Sequence, residues 1–389
     1  MKPARRSRWI LAVAIACGGA PLASAAPIVP AHDDEVVEVL PGGIARGSGR
    51  DDDGARRRDR EWRRALAANP RDATLAVQAA REWLERAREQ GDPRPAGRAL
   101  AVLAPWDGDA NAPVEVLVMR GLLQQHLHEF DAAAATLQAA LARDPRHAQA
   151  WLALATVRRV QARYTESDEA CARLHALGAG VHGAACAAEN AALRGRVDTA
   201  RAALQRLVVQ ARGDAAARAW LMTTLAELEW RAGRPLDAER AYREALAASP
   251  DPYAALGLAD LLIEQGRAED AKRALQGLAR SDAVLLRLAM AGDEASVAEW
   301  RERQRQAAAR PGSAGAHARE LALFALHVDR DARRSLALAR ENLRAQREPP
   351  DLLLFARAAR AAGDSGALNE LRALLKETGL HDRRVEALL

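Results

Sequence analysis

Apolar and alanine-rich runs recur along the chain after residue 58, and short turns containing Gly, Asp or Pro separate them. Each run is about 12–15 residues long, which suits a helix better than a strand. Alternation of apolar and polar residues with period two, which is typical of half-buried strands, is essentially absent from this part of the chain. The pattern therefore predicts an all-α protein.

The helical runs are organised in repeats. Units aligned on a turn glycine and a later alanine cover residues 114–147, 148–180, 181–214, 219–251 and 252–285. A unit of two short helices cannot bury its own apolar face, so neighbouring units must stack to form a continuous core. We expect a solenoid rather than independent domains.

The residues that recur at fixed places in these units resemble the tetratricopeptide repeat, whose unit is about 34 residues. The matching residues are Leu117, Gly121, Ala133, Leu137, Ala140 and Pro145 in the first unit; Trp151, Leu154 and Ala155 in the second; Ala188, Gly195, Ala200 and Leu204 in the third; Leu225, Ala226, Gly233, Ala238, Tyr242, Ala245 and Pro250 in the fourth; and Leu258, Ala259, Gly266, Ala271 and Leu275 in the fifth. The resemblance implies a right-handed α-solenoid of antiparallel helix pairs.

Both flanks of the five units show a weaker form of the pattern. Residues 60–106 indicate a degenerate leading unit, residues 283–310 a helix pair that has lost the signature, and residues 315–389 one or two trailing units. Atypical terminal units are usual in stacked repeats. We predict one solenoid over residues 59–389.

Residues 1–25 have the layout of a secretory signal peptide. A basic start precedes an apolar stretch from Trp9 to Cys17, and the small residues Ala23-Ser24-Ala25 suit signal cleavage. The apolar stretch is far shorter than the roughly 20 residues that a membrane-spanning helix needs, and no later stretch reaches that length. Only three of the 57 basic residues are lysine, which is typical of high-GC bacterial proteins. We expect a periplasmic or secreted protein without a transmembrane segment; lipidation at Cys17 is the alternative.

Residues 26–58 are polar and interrupted by Pro, Gly and clusters of charge. Such a segment has too few apolar side chains to offset the entropy of ordering, so we predict a disordered leader. Residues 35–40 are the exception, because their β-branched side chains suit addition as a strand to a partner, or packing on the end of the solenoid.

The charge of the chain argues against nucleic-acid binding. The formal net charge is +5, but residues 1–26 carry four basic and no acidic side chains, so the rest of the chain carries +1. Basic and acidic residues also alternate along the helices instead of forming a basic patch. The expected partner is therefore another protein.

Motifs for catalysis are missing from the sequence. It contains no Gly-rich phosphate loop, nucleophile elbow or zinc-protease motif. His126 and His128 are two residues apart on a predicted helix and cannot face the same ligand. We predict that the chain is not an enzyme and uses no cofactor.

One constellation of cysteine and histidine is the candidate for chemistry. Cys171 and His175 lie one turn apart on one predicted helix, and His182 and Cys186 lie one turn apart on the next. If these helices are antiparallel, Cys171 faces Cys186 and His175 faces His182. Three interpretations fit: a disulfide between Cys171 and Cys186, two buried free thiols, or a Cys2His2 zinc site. The disulfide is our prediction.

The resemblance also implies where a partner binds. In tetratricopeptide proteins the first helices of successive units line a concave groove, and ligand contacts cluster at their exposed positions. The corresponding residues here are Gln149, Thr156, Arg159, Glu189, Trp220, Thr223, Glu227, Trp230, Arg231, Tyr253, Asp260 and Glu264. Trp220, Trp230 and Tyr253 are the strongest candidates, because aromatic side chains often dominate binding energy.

The Lys and Asn clamp with which chaperone-type members of that family grip a C-terminal carboxylate is missing. The matching positions hold Val118 and Leu122, then Leu152 and Thr156. The sequence therefore favours a periplasmic scaffold or assembly factor that holds a segment of another protein. An accessory of envelope secretion or polysaccharide export, and a metal-binding or enzymatic repeat protein, are the alternatives.

Overall fold

The computed structural model describes residues 49–90, 94–308 and 318–389, and within these ranges it contains helices and turns but no strand. The helices are α1 (Gly49–Ala68), α2 (Ala73–Gln90), α3 (Arg94–Leu103), α4 (Val114–His126), α5 (Phe130–Arg143), α6 (Ala148–Val160), α7 (Tyr164–Ala176), α8 (Gly180–Leu193), α9 (Val197–Gln210), α10 (Ala215–Arg231), α11 (Pro235–Ala248), α12 (Pro252–Glu264), α13 (Ala268–Ala274), α14 (Asp282–Met290), α15 (Glu294–Ala308), α16 (Ala318–His327), α17 (Ala332–Asn342), α18 (Pro349–Ala362), α19 (Ser365–Thr378) and α20 (Arg383–Glu386). The predicted all-α architecture is confirmed.

The chain divides into two units, residues 1–59 and residues 60–389. In the first unit the described residues belong to the beginning of α1, which starts at Gly49. The predicted leader extends to residue 58, so its last ten residues overlap with α1. Ala and Arg, which have high helix propensity, dominate the sequence from residue 55 onward. The predicted signal peptide, Cys17 and residues 35–40 lie outside the described residues.

In the second unit, helices pack in consecutive pairs from α2 with α3 to α18 with α19. The first helices of successive pairs also contact one another, from α4 with α6 through to α16 with α18. The five predicted repeat units correspond to helix pairs whose first helices begin at Val114, Ala148, Gly180, Ala215 and Pro252. The fourth begins four residues before the predicted start, because the side chain of Asp214 accepts a hydrogen bond from the N–H of Ala217 and caps the helix.

Small residues permit close approach between neighbouring helices. A Cβ added to Gly121 would come within 2.7 Å of the side chain of Leu137, and one added to Gly257 within 2.8 Å of the ring of Tyr242. Leu137 and Tyr242 are almost completely buried. Their contacts with a bare backbone show why these two helices carry glycine at residues 121 and 257.

The turns inside the five central pairs share a left-handed backbone residue. These residues form what we call the turn row: His128, Ala162, Gly195, Gly233 and Gly266, with φ between +59° and +82°. A left-handed residue after the first helix reverses the chain within a short turn, and glycine adopts this conformation without steric cost. The turn row therefore marks one edge of the stacked pairs.

The C-terminal part of the chain packs against this edge. The N–H of Arg347 donates to the carbonyl oxygen of Val160 over 2.8 Å, and the N–H of His381 donates to that of Leu193, also over 2.8 Å. Tyr164 and Leu193 share one buried apolar cluster with side chains from α16 to α20, including Phe355. Helices at the end of the chain thus cover the ends of first helices from earlier units.

Candidate protein-binding face

Four residues occupy the second position of consecutive predicted units and lie near the beginning of the first helices α6, α8, α10 and α12. They form what we call the open strip: Gln149, His182, Trp220 and Tyr253. All four are exposed, and Trp220 and Tyr253 keep 36% and 63% of their surface accessible. Large apolar or aromatic side chains are rarely left this open in the described part of the chain; Val209 and Leu236, on the second helices α9 and α11, are the other two. The open strip therefore combines exposure with aromatic character.

Contacts between neighbouring first helices order the open strip. The ring of His182 stacks on that of Trp220, with centroids 5.4 Å apart and an interplanar angle of 27°. The hydroxyl of Tyr253 donates a hydrogen bond of 2.6 Å to Glu227 on the preceding first helix. Because two of the aromatic side chains are held by neighbours, a partner would lose less side-chain entropy on binding them.

The carboxylate of Glu227 lies at the centre of this face. Burial raises the pKa of Glu227, and the nearby guanidinium of Arg231, 4.0 Å away, opposes that shift. The negative charge of Glu227 in turn raises the pKa of Tyr253, so the tyrosine remains a hydrogen-bond donor. The arrangement offers a partner one acceptor next to two aromatic surfaces.

Other predicted contact residues hold the helix pairs together. Arg159 forms an ion pair with Glu189 at 3.1 Å, between α6 and α8. Asp260 accepts two hydrogen bonds of 2.9 Å from the guanidinium of Arg287, between α12 and α14. Both ion pairs link successive first helices, and the bidentate geometry of the second fixes the relative orientation of its two side chains.

Two predicted contact residues near the turn row have partners from the last helices of the chain. The guanidinium of Arg384 lies 4.5 Å from the ring centre of Trp230, and Arg357 forms an ion pair of 2.5 Å with Glu264. Trp230 and Glu264 are therefore in intramolecular contacts, which the sequence reasoning did not foresee.

Two of the predicted contact threonines donate their hydroxyl groups to carbonyl oxygens of their own helices. Thr223 is only 4% exposed, and its hydroxyl donates to the carbonyl oxygen of Ala219. The prediction that Thr223 contacts a partner is wrong, because the side chain is buried and its hydrogen bond is made within α10. Thr156 donates in the same way to the carbonyl oxygen of Leu152.

His182 was missed as a member of the binding face. The sequence reasoning considered it only as a possible metal ligand opposite His175, whereas the structure stacks it on Trp220. The signal was present in the alignment of units, since His182 occupies the same second position as Gln149, Trp220 and Tyr253.

Cys171 and Cys186 lie between α7 and α8, where their Cα atoms are 5.7 Å apart and their sulfur atoms form a disulfide in the structure. Both residues are buried, and they pack with Ala155 and Ala170. The side chain of Asn190 also reaches the sulfur of Cys171, at 3.6 Å. The bond joins the second predicted unit to the third.

The described residues were also searched for a metal site and for a membrane-spanning helix. They contain no group of three or more His, Cys, Asp or Glu side chains placed to hold a metal ion. A search of the same residues for a helix long and apolar enough to cross a membrane also finds none.

Comparisons with known proteins agree with the repeat architecture. Residues 118–180 and 229–291 each match a family model described as tetratricopeptide repeat. A search of curated proteins finds no match.

Among solved structures, a Rap protein complexed with competence and sporulation factor shares 14% identity, with a TM-score of 0.54 over 87% of this chain and 95% of that one. Pseudomonas aeruginosa pilF shares 20% identity, with a TM-score of 0.36 over 51% of this chain and 93% of that one. The first likeness shows the fold, and the two matched segments together with it support a tetratricopeptide repeat family for this chain.

Proposed function

We propose that this chain is a periplasmic scaffold or assembly factor that holds a segment of another protein along the open strip. Tetratricopeptide repeats suggest a scaffold for protein–protein interaction. The observation that carries the proposal is the exposure of Trp220 and Tyr253 on neighbouring first helices. An aromatic side chain left in water at the same place in successive units is well suited to anchor a partner.

The chemistry of the strip suggests the kind of segment it holds. Two aromatic surfaces and the carboxylate of Glu227 favour an extended segment that carries apolar side chains and a hydrogen-bond donor or a basic group. Because successive first helices pack against one another, they set the distances between these contact points on the partner.

The periplasmic location rests on the signal-like layout of residues 1–25 and on the oxidised pair Cys171–Cys186. Disulfides persist in oxidising compartments and are rare in the cytosol. Cell fractionation, with a mass spectrum of the mature N-terminus, tests this part of the proposal. A protein recovered from the cytosol with residues 1–25 intact would contradict it.

Affinity purification from envelope extract tests the binding face. The variant Trp220→Ala/Tyr253→Ala should lose partners that the intact protein retains, and its affinity for a purified partner should fall roughly 30-fold, as expected when binding anchors are truncated. Val209→Ala/Leu236→Ala is the matched control, because it removes two exposed apolar side chains from second helices. If the open-strip variant kept every partner, the assignment of the face would be wrong.

A further inference from the structure

A cleft of about 470 Å³ lies where α20 meets the turns that follow α8 and α10. Its walls include Gly195 and the start of α9 on one side, Arg231 to Arg234 on another, and His381 and Arg383 from the end of the chain. Its volume is within the range of small-molecule sites, about 300–1,000 Å³. The cleft is separate from the open strip, which lies near the opposite ends of the first helices.

Positive charge dominates the lining of this cleft. Four arginines line it, Arg196, Arg231, Arg234 and Arg383, against the two carboxylates of Asp198 and Glu386. Glu386 already contacts the ring of His381 at 3.2 Å. Asp198 is shared between Arg201 and Arg234, the latter at 3.7 Å. Arg234 also lies 3.8 Å from Glu229, and Arg231 lies 4.0 Å from Glu227, so both of these arginines have carboxylate partners. Among the described residues, the unpaired positive charge of the cleft is that of Arg196 and Arg383.

Two of these four guanidinium groups lack a carboxylate partner in the described part of the chain. In the described part of the chain Arg196 and Arg383 form no ion pair, although most arginines of the neighbouring units do. The side chain of Arg231 is only 11% exposed, and its Nη2 atom is buried without a hydrogen-bond acceptor. A buried donor without an acceptor is costly, so an oxyanion in the cleft would relieve this cost.

The first turn of α9 adds donors to the same cleft. Val197, Asp198 and Thr199 line it, and no side chain caps the helix at Arg196. The free N–H groups and the helix dipole at such an end favour a negative charge. They supplement the arginines, which remain the main attraction.

We propose that this cleft binds a small polyanion, either a di- or tricarboxylate or a phosphate ester. Arginine recognises both chemistries through paired N–H donors, and its charge does not depend on pH in the physiological range. Polar groups make up more of the cleft's lining than apolar groups do, which favours a charged ligand over an apolar one.

Isothermal titration of the full chain with citrate and with inorganic pyrophosphate tests the proposal, at about 50 mM salt to limit screening. We expect at least one of the two to bind, and affinity to fall tenfold or more in Arg196→Gln/Arg383→Gln. Binding of citrate alone would assign a carboxylate ligand, and binding of pyrophosphate alone a phosphate ligand. Absence of binding by both would overturn the proposal.

The control variant is Arg206→Gln/Arg212→Gln, which removes the same charge from exposed positions outside the cleft. This control should bind the ligand with the affinity of the intact protein. An equal loss of affinity in the control would show that net charge alone causes the effect, and would refute a defined site. If the double cleft variant failed to fold, Arg196→Gln alone serves, because that side chain is exposed and unpaired in the described structure. Unchanged affinity in that single variant would also count against the site.

Discussion

The main-chain N–H of His381 donates to the carbonyl oxygen of Leu193 over 2.8 Å, and so joins the end of the chain to the third repeat unit. His128 and Gln346 make a second such contact, with Nδ1 and Oε1 3.0 Å apart. In a simple solenoid each unit contacts only its neighbours. These contacts across many units couple distant parts of the chain, and we expect residues 60–389 to unfold more cooperatively than an open array of repeats.

Arg384 is central to this long-range packing. Its guanidinium lies over Trp230 and is hydrogen-bonded to Asp382 at 2.6 Å. Arg384→Ala should lower the free energy of unfolding by about 1–3 kcal/mol, because it removes a cation–π contact and the guanidinium partner of a buried carboxylate. Urea denaturation followed by circular dichroism measures this. Arg383→Ala, next to it and without an ion pair in the described structure, should change stability by less than about 0.5 kcal/mol; similar losses in both variants would contradict the role of Arg384.

Gly257 tests the close packing of neighbouring units. Gly257→Ala should lower the free energy of unfolding by about 1–3 kcal/mol, because the new methyl group would lie 2.8 Å from the ring of buried Tyr242. Gly97→Ala is the control, since nothing lies within 4 Å of the added Cβ and the site is on helix α3. That change should be neutral or stabilise by up to about 1 kcal/mol, because alanine has the higher helix propensity. Thermal unfolding of both variants measures these changes in stability. A stabilised Gly257→Ala variant would show that the units are not packed this closely.

The pair Cys171 and Cys186 should be oxidised in the protein isolated from its native compartment. When the protein is denatured without reductant, thiol titration should detect no free thiol from this pair. After reduction, the same titration should detect two. Because the cysteines are 15 residues apart, the bond should stabilise the fold by about 3 kcal/mol. Cys171→Ala/Cys186→Ala should match the reduced intact protein in stability. Two reactive thiols before reduction would exclude the disulfide.

His126 and His327 should make the protein less stable in mild acid. Burial, together with the charge of a nearby arginine, lowers the pKa of each side chain from 6.5 to about 4. Between these values the unfolded chain binds more protons than the folded one, so the free energy of unfolding falls as the pH drops from about 6.5 to about 4.

Each histidine contributes at most about 3 kcal/mol to this loss. Urea denaturation at several pH values measures it, and His126→Gln/His327→Gln should flatten the dependence in this range. An unchanged slope in the double variant would assign the acid sensitivity to other groups.

The residues of the open strip can be grouped from the repeat pattern of the sequence alone. Gln149, His182, Trp220 and Tyr253 share one position in the aligned units, and a shared position on stacked helices brings side chains next to one another. The helix pairs themselves follow from periodicity and from turn residues, which act over a few positions. The spacing of Cys171 and Cys186 on adjacent helices is equally local.

By itself, then, the sequence determined that the chain is a stack of paired helices and which residues line its first helices. Only the tertiary structure decided which part of that face is open. Trp230 and Glu264 lie on the same first helices as Trp220 and Tyr253, yet Trp230 contacts Arg384 and Glu264 forms an ion pair with Arg357. The repeat pattern of the sequence could not predict the hydrogen bond between His381 and Leu193, which are far apart along the chain. That contact forms because the stacked helix pairs bring the last helices next to the turn row.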